Sequence, residues 1–189
     1  MGGTVRDPNT MQGMEVDGHG KAATTSVNEI YAAWNNRVMK QAYSIGIGGI
    51  SPAGANSIVG YIKNISTTHD LTIMNYKMRT TGANASVDVY MGATGSTITG
   101  GTAVIPANRN SGSSNVAGLT VEKSTGMSGF TVTDIRKIGS IYNIDAHPFE
   151  YQKPCSYWIL TPDQYLIFRS SDTGATLYLG IGCCMRERK

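Results

Sequence analysis

The stretch ATLYLGIGCCM, residues 175–185, places an apolar side chain at every second position and decides the fold class of this chain. Successive side chains of a β-strand point to opposite faces, so such alternation predicts a strand with one buried face. The apolar side of this predicted strand comprises Leu177, Leu179, Ile181 and Cys183. The segment SVDVYM, residues 86–91, repeats the pattern through its valines and methionine. Each segment is therefore expected to bury one face in a core.

From residue 42 onward, turn-forming residues are spaced as in an all-β protein. Turn-forming residues separate apolar segments at intervals of about eight to fifteen residues, which favours a β-sandwich or barrel over βαβ units. The predicted strands are residues 42–47, 57–66, 71–79, 86–91, 117–122, 130–141, 156–161, 164–169 and 175–185. We therefore expect an all-β fold of about eight to nine strands.

The tetrapeptide TPDQ, residues 161–164, lies between two apolar segments and has proline at its second position. This arrangement predicts a tight hairpin, with Pro162 and Asp163 better suited to a type I turn than to a primed turn. The flanking apolar residues predicted for the core are Trp158, Leu160, Leu166 and Phe168.

The chain is predicted to divide into an extended N-terminal arm, residues 1–25, and a single sandwich domain, residues 26–189. The arm has few bulky apolar side chains and many glycines, so it cannot build a core of its own. Residues 26–40 remain open between two predictions. Ser26 and Glu29 have the spacing of a helix capping box, whereas Trp34 and Val38 also fit a first strand.

Composition limits the classes of function. The 189 residues carry a net charge of +3 with scattered cations, which is too little for a nucleic-acid interface. No apolar segment approaches the roughly 20 residues that cross a bilayer, and the polar N-terminus predicts synthesis in the cytosol without a signal peptide. The three cysteines, Cys155, Cys183 and Cys184, predict no disulfide framework. Cys183 and Cys184 are expected on opposite faces of one strand.

Catalytic and metal-binding motifs are not evident. His19, His69 and His147 lack the spacing of metal ligands, and there is no GxSxG nucleophile motif. The glycine-rich segment GIGGIS, residues 46–51, lacks the spacing of a phosphate loop. We therefore expect a protein that is not an enzyme and needs no cofactor or metal. A carboxylate active site is left open for one set of residues: Asp88, Glu122 and Asp134.

A segment rich in glycine, serine and threonine, residues 93–115, is predicted to form a long loop. Long loops without secondary structure are uncommon in compact domains and usually indicate function or contact between subunits. Arg109 is the predicted clamp of this loop, because its guanidinium can bond several carbonyl or carboxylate groups. Asn110 is expected to adopt a left-handed backbone at a turn before Gly112. Whether the clamp acts within one chain or between subunits is left open.

Four segments together resemble a known family: SVDVYMG, TAVIPANRNSGSSN, GLTVEKSTG and LYLGIGCCMRER. The chain is similar through them, over residues 57–188, to small virion proteins of tailed bacteriophages, named as capsid decoration, cement or head structural proteins. The resemblance implies a jelly-roll-like β-sandwich, often trimeric, that binds the major capsid protein on the outside of the head without catalysis. The protein would then be located in the virion, after synthesis in the host cytoplasm.

Two other functions are kept as alternatives. A phage tail, fibre or receptor-binding module would use the same sandwich and exposed aromatic side chains, for which Tyr90, Tyr142 and Tyr151 are candidates. A carbohydrate-active enzyme is the weakest alternative.

Overall fold

The structure is a computed structural model that describes residues 4–6, 13–16, 22–23, 39–81, 85–92, 98–129, 135–142, 150–152, 158–171 and 174–188. The described part of the chain is built from β-strands and contains no α-helix. The chain forms two compact units, Met1–Met39 and Lys40–Lys189. The two predictions for residues 26–40 fall almost entirely outside the described residues.

The N-terminal unit contains three short strands, β1 (Thr4–Arg6), β2 (Gly13–Val16) and β3 (Ala22–Ala23). They form one sheet in the order β1-β2-β3, and both pairs are antiparallel. The predicted division into an extended arm, residues 1–25, and a single sandwich domain, residues 26–189, stays a prediction.

The larger unit contains twelve of the described strands. They are β4 (Ala42–Ile50), β5 (Ile58–Asn64), β6 (His69–Thr80), β7 (Ser86–Gly92), β8 (Thr102–Ala103), β9 (Ala107–Asn108), β10 (Leu119–Met127), β11 (Ile135–Tyr142), β12 (Glu150–Gln152), β13 (Trp158–Leu160), β14 (Tyr165–Ser170) and β15 (Leu177–Glu187). Each of the nine predicted strands overlaps one of them, which confirms the all-β prediction.

These strands form two antiparallel sheets that make a β-sandwich. Sheet 1 has the order β12-β6-β15-β4-β9, and β13 also pairs with β6. Sheet 2 has the order β11-β7-β14-β5-β10-β8. A single hydrophobic cluster takes residues from both sheets, including Ile45 and Leu71 of sheet 1 and Val89 and Phe168 of sheet 2. The core therefore lies between the two sheets.

The strand pairs are nested along the chain. The first long strand, β4, pairs with the last, β15, and β5 pairs with β14. β6 then pairs with β12 and β13, and β7 pairs with β11. The unit is thus one long antiparallel hairpin, folded so that alternate pairs belong to different sheets. The segment between β7 and β11, residues 93–134, contains the strands β8, β9 and β10, which are not part of this nested set, and we call it the insertion.

The predicted hairpin at residues 161–164 is wrong. β13 pairs with β6 in sheet 1, whereas β14 pairs with β5 and β7 in sheet 2, so the TPDQ turn carries the chain from one sheet to the other. Asp163 has a φ of 66°, and Gln164 N–H bonds Thr161 C=O at 3.1 Å. A left-handed third residue is typical of a type II turn, not the predicted type I turn.

The predicted core is confirmed for Leu160, Leu166 and Phe168, which are buried. Trp158 is only half-buried; it packs against the core cluster, and its ring stacks on that of Tyr76 with 5.0 Å between ring centroids. The apolar side of β15 is buried as predicted.

The two adjacent cysteines of β15 differ from the prediction in one respect. Cys183 belongs to the main core cluster, as expected for the inward face. Cys184, expected on the outward face, is also buried, with 1% of its surface exposed.

Candidate interaction surface

The insertion adds strands to both sheets on the same side of the sandwich. β10 pairs with β5 and is followed by β8 at the edge of sheet 2, while β9 pairs with β4 at the edge of sheet 1. The predicted loop of residues 93–115 therefore contains two short strands, β8 and β9. Residues 93–97 lie outside the described part of the chain.

The described part of the insertion begins at Ile98 and is held there by apolar packing on the outer face of sheet 2. Ile98 packs against a small cluster that includes Tyr61 and Tyr165, whose ring centroids are 5.7 Å apart. Thr99 and Ser128 exchange two backbone hydrogen bonds, of 3.0 and 3.2 Å. These contacts fix both ends of the described insertion to the sheet.

The middle of the insertion, residues 102–116, forms an exposed segment that we call the rim. No residue of the rim is buried, and Arg109 is its only charged residue. Two apolar side chains of the rim stand out, because Ile105 is 90% exposed and Val116 is 89% exposed. They are the two most exposed large apolar side chains in the described part of the chain.

Asn108 organises the rim. Its side-chain Nδ2 donates to the main-chain oxygen of Lys40 at 2.8 Å and to that of Asn115 at 3.1 Å. Its Oδ1 accepts a hydrogen bond from the backbone N–H of Asn110 at 2.8 Å. One amide side chain thus ties the two ends of a turn to each other and to the start of β4. Asn108 was not among the residues predicted from the sequence.

The predicted clamp residue Arg109 lies beside β4. Its backbone N–H donates to Ala42 C=O at 2.8 Å, and its Nε donates to Ser44 Oγ at 2.9 Å. The Arg109 side chain thus bonds a hydroxyl group of the same chain. Whether Arg109 also contacts another subunit stays a prediction.

The second predicted residue, Asn110, does not have the expected left-handed backbone. Among the described residues the non-glycine residues with positive φ are Lys40, Asn56 and Asp163. Asn110 instead accepts from Gly112 N–H on its Oδ1 at 3.1 Å, and its carbonyl accepts from Ser113 N–H at 2.9 Å. The side chain closes the turn, so a strained backbone is not required there.

The carboxylates considered for catalysis are not brought together where the structure describes them. Asp88 lies on β7 and Glu122 on β10, and β14 and β5 separate these strands in sheet 2. Three strand spacings place them about 14 Å apart or more, beyond the roughly 5–9.5 Å of glycosidase pairs. Asp134 lies outside the described residues.

Asp88 instead forms a structural ion pair. Its Oδ1 lies 2.7 Å from Lys137 Nζ and accepts a hydrogen bond from Ser140 Oγ, also at 2.7 Å. Burial raises the pKa of Asp88, but the bonds from Lys137 and Ser140 outweigh burial, so that the pKa of this carboxyl lies below its usual value. These contacts join β7 to the edge strand β11.

The described histidine and cysteines, His69, Cys183 and Cys184, are not grouped as in a catalytic or metal-binding site. The Nδ1 atom of His69 lies 2.8 Å from Thr68 Oγ1, and its Nε2 atom lies 3.1 Å from Gln41 Nε2. Burial is the main cause that raises the pKa of Cys183 to about 12, and the neighbouring Cys184 adds to it. The charge of Arg109 acts in the opposite direction but is a smaller influence. The Cys183 thiol is therefore protonated at neutral pH. The described residues contain no group of three histidine, cysteine or acidic side chains arranged to hold a metal ion.

The aromatic residues proposed for receptor binding are only partly placed. Tyr90 is half-buried, and the Arg169 guanidinium lies 6.0 Å from the centre of its ring. The side chains of Tyr142 and Tyr151 lie outside the described part of the structure.

Comparison with protein-family models, curated proteins and solved structures gives no match to this chain. None of the described residues belongs to a helix long and apolar enough to span a membrane. The class of protein is therefore defined by the fold and the rim: an all-β sandwich with an exposed insertion along one side.

Proposed function

We propose that this protein is a structural protein of a virus particle, a decoration or cement protein on the outside of a tailed-phage head. The observation that carries the proposal is the nested strand order. Eight successive strand positions pair first with last, second with seventh, third with sixth and fourth with fifth. We infer that this fold is a jelly roll, an architecture used by viral capsid domains and also by lectins and cupins.

The rim favours the capsid role within that group of folds. A cement protein binds many symmetric copies of a partner, so weak and largely polar contacts gain strength through avidity. The rim supplies such contacts, with one cation, several amide and hydroxyl groups, and the exposed apolar side chains Ile105 and Val116. The proposed partner is the major capsid protein, and a homotrimer on local threefold axes is the proposed assembly.

Purified virions test the location and the number of copies. Gel densitometry should show this chain in amounts comparable to the major capsid protein, and electron cryomicroscopy should show its density over the head lattice. A handful of copies per particle, with density at the tail, would instead favour the tail or receptor-binding alternative.

Capsid binding by variants tests the role of the rim. The assay mixes each variant with capsids that were assembled without this protein and measures the amount that sediments with them. Ile105→Asp and Val116→Asp should each reduce that amount. Ile159→Asp is a matched control, because Ile159 is 50% exposed but lies on β13, at the edge of sheet 1 away from β9. Equal loss of binding in all three variants would show that any exposed apolar residue contributes to capsid binding and that the rim has no special role.

A further inference from the structure

One edge of sheet 1, next to the rim, has a stretch without a paired strand among the described residues. β9 pairs with β4 only at Tyr43 and Ser44, and the chain before Ala107 leaves β4 at Pro106. Beyond that point, no described strand pairs with β4 on the side away from β15. The open edge, residues 46–49, borders a groove of about 270 Å³ lined in part by Gly49, Thr102 and Ser124.

The direction of the backbone groups along β4 follows from three hydrogen bonds. Met185 N–H donates to Gln41 C=O at 3.0 Å, so the backbone N–H and C=O of residue 41 point toward β15. Arg109 N–H donates to Ala42 C=O, so the backbone N–H and C=O of residue 42 point away from β15. Backbone groups alternate along a strand, so Gly46 also presents its N–H and C=O at the open edge. Lys123 Nζ donates to Gly48 C=O at 3.2 Å, which agrees with this alternation.

Both ends of the open edge carry a cation. Arg109 lies beside Ser44, and Lys123 reaches Gly48, four residues along the strand and about 13 Å away. Among the described residues, the ion pairs are Lys63 with Asp163, Lys137 with Asp88, and Arg188 with Asp70, so neither cation has a carboxylate partner there. The two side chains instead bond uncharged oxygens of the same chain, the Ser44 hydroxyl and the Gly48 carbonyl.

We propose that the open edge of β4 accepts an extended acidic segment of a partner protein as an added strand. The backbone of that segment pairs with Gly46, and its acidic side chains contact Arg109 and Lys123. Addition of a strand supplies affinity through main-chain hydrogen bonds, while the cations select the charge of the segment. The site deepens the proposed function and rests on it for the identity of the partner, a segment of a capsid subunit.

Amide hydrogen exchange of the full chain tests the open edge first. The Gly46 amide should exchange at least about tenfold faster than those of Ile45 and Ile47, which point to β15. Protection of Gly46 in the free protein would overturn the proposal, because another part of the chain or a second copy would already occupy the edge.

A defined peptide tests the ligand. The probe is a blocked peptide of alternating valine and threonine with two glutamates at each end, and the matched probe has lysine in place of glutamate. The glutamate peptide should bind at least about fivefold more tightly, with an affinity that falls as salt is added, and should protect the Gly46 amide. Equal binding of both peptides, or binding of neither, would overturn the proposal.

Gly46→Pro separates strand addition from general attraction of charge. Proline removes only an N–H that points away from β15, and edge positions tolerate it. This variant should lose peptide binding, whereas Gly46→Ala, which keeps the N–H and whose Cβ meets no atom within 4 Å, should retain it. Retention of binding by Gly46→Pro would overturn the proposal.

A charge variant keeps the test decisive if the proline variant does not fold. Arg109→Gln combined with Lys123→Gln should then abolish the preference for the glutamate peptide, and an unchanged preference would overturn the proposal. Since the peptide assay uses no capsid, its failure leaves the virion location to be decided by purified particles. Failure of the virion experiment, in turn, leaves the peptide site intact.

Discussion

The side-chain amide of Asn108 donates to the main-chain oxygen of Lys40 at 2.8 Å, and Lys40 has a φ of 54°. Lys40 lies two residues before the first residue of β4, Ala42, and the left-handed conformation is unfavourable for a lysine. The hydrogen bond from the rim therefore helps to hold a strained residue at the entrance to β4.

Asn108→Ala should lower the free energy of unfolding by about 0.5–1.5 kcal/mol, because it removes the hydrogen bonds that this half-buried side chain donates to the main-chain oxygens of Lys40 and Asn115. Urea denaturation measures the change. Asn108→Asp is the informative control, since it keeps the acceptor for Asn110 N–H but cannot donate to the two carbonyl groups. A stability equal to wild type in both variants would mean that the hydrogen bonds of the Asn108 side chain contribute nothing to stability.

The long strands could be predicted from the sequence, because alternation of apolar residues identifies a strand whatever its partners are. Pairing could not be predicted from the same local pattern. Residues 158–160 and 165–170 look like two arms of one hairpin, yet they belong to different sheets. The choice depends on β5 and β6, which are distant in sequence.

The rim was harder to predict for a related reason. β8 and β9 have two residues each, too few for periodicity to be visible. Asn108 acts on Lys40, 68 residues away in sequence, and this contact exists only once β9 has paired with β4. Arg109 and Asn110 were recognisable by residue type and turn composition, but the partners of their side chains were not.

Arg109→Ala should affect attachment to capsids more than folding. Its side chain bonds the Ser44 hydroxyl at an exposed position, so loss of this bond should change the free energy of unfolding by less than about 1 kcal/mol. Circular dichroism and urea denaturation of the free protein measure folding, and sedimentation with capsids measures attachment. Equal attachment of variant and wild type would show that Arg109 acts only within the chain.

Gly92 and Gly46 should respond in opposite ways to alanine. A Cβ at Gly92 would collide with the ring of Tyr165, which is buried, so Gly92→Ala should cost about 1–3 kcal/mol of unfolding free energy. Gly46 has open space and a φ outside the left-handed region, so Gly46→Ala should be neutral or stabilising by up to about 1 kcal/mol. Similar thermal midpoints for the two variants would show that Tyr165 moves aside without cost.

The ion pair of Asp88 with Lys137 should make stability depend on pH in the acid range. The pKa of Asp88 is lowered in the folded protein, so the carboxylate stabilises the fold above its unfolded pKa of about 3.9. This contribution is lost as the pH falls through the lower folded value. Asp88→Asn should cost up to about 1 kcal/mol near pH 7, since Lys137 is half-exposed and solvent screens the pair.

Urea denaturation of wild type and Asp88→Asn at several pH values measures this dependence. The difference in unfolding free energy should be constant from neutral pH down to about pH 5 and should shrink below about pH 4. Lys137→Met is a matched control, because it removes the cation but leaves the Ser140 bond, and should retain part of the pH dependence. A difference that grows as the pH falls would contradict the assigned direction of the shift, since protonation would then favour the contacts of Asp88 in the folded state.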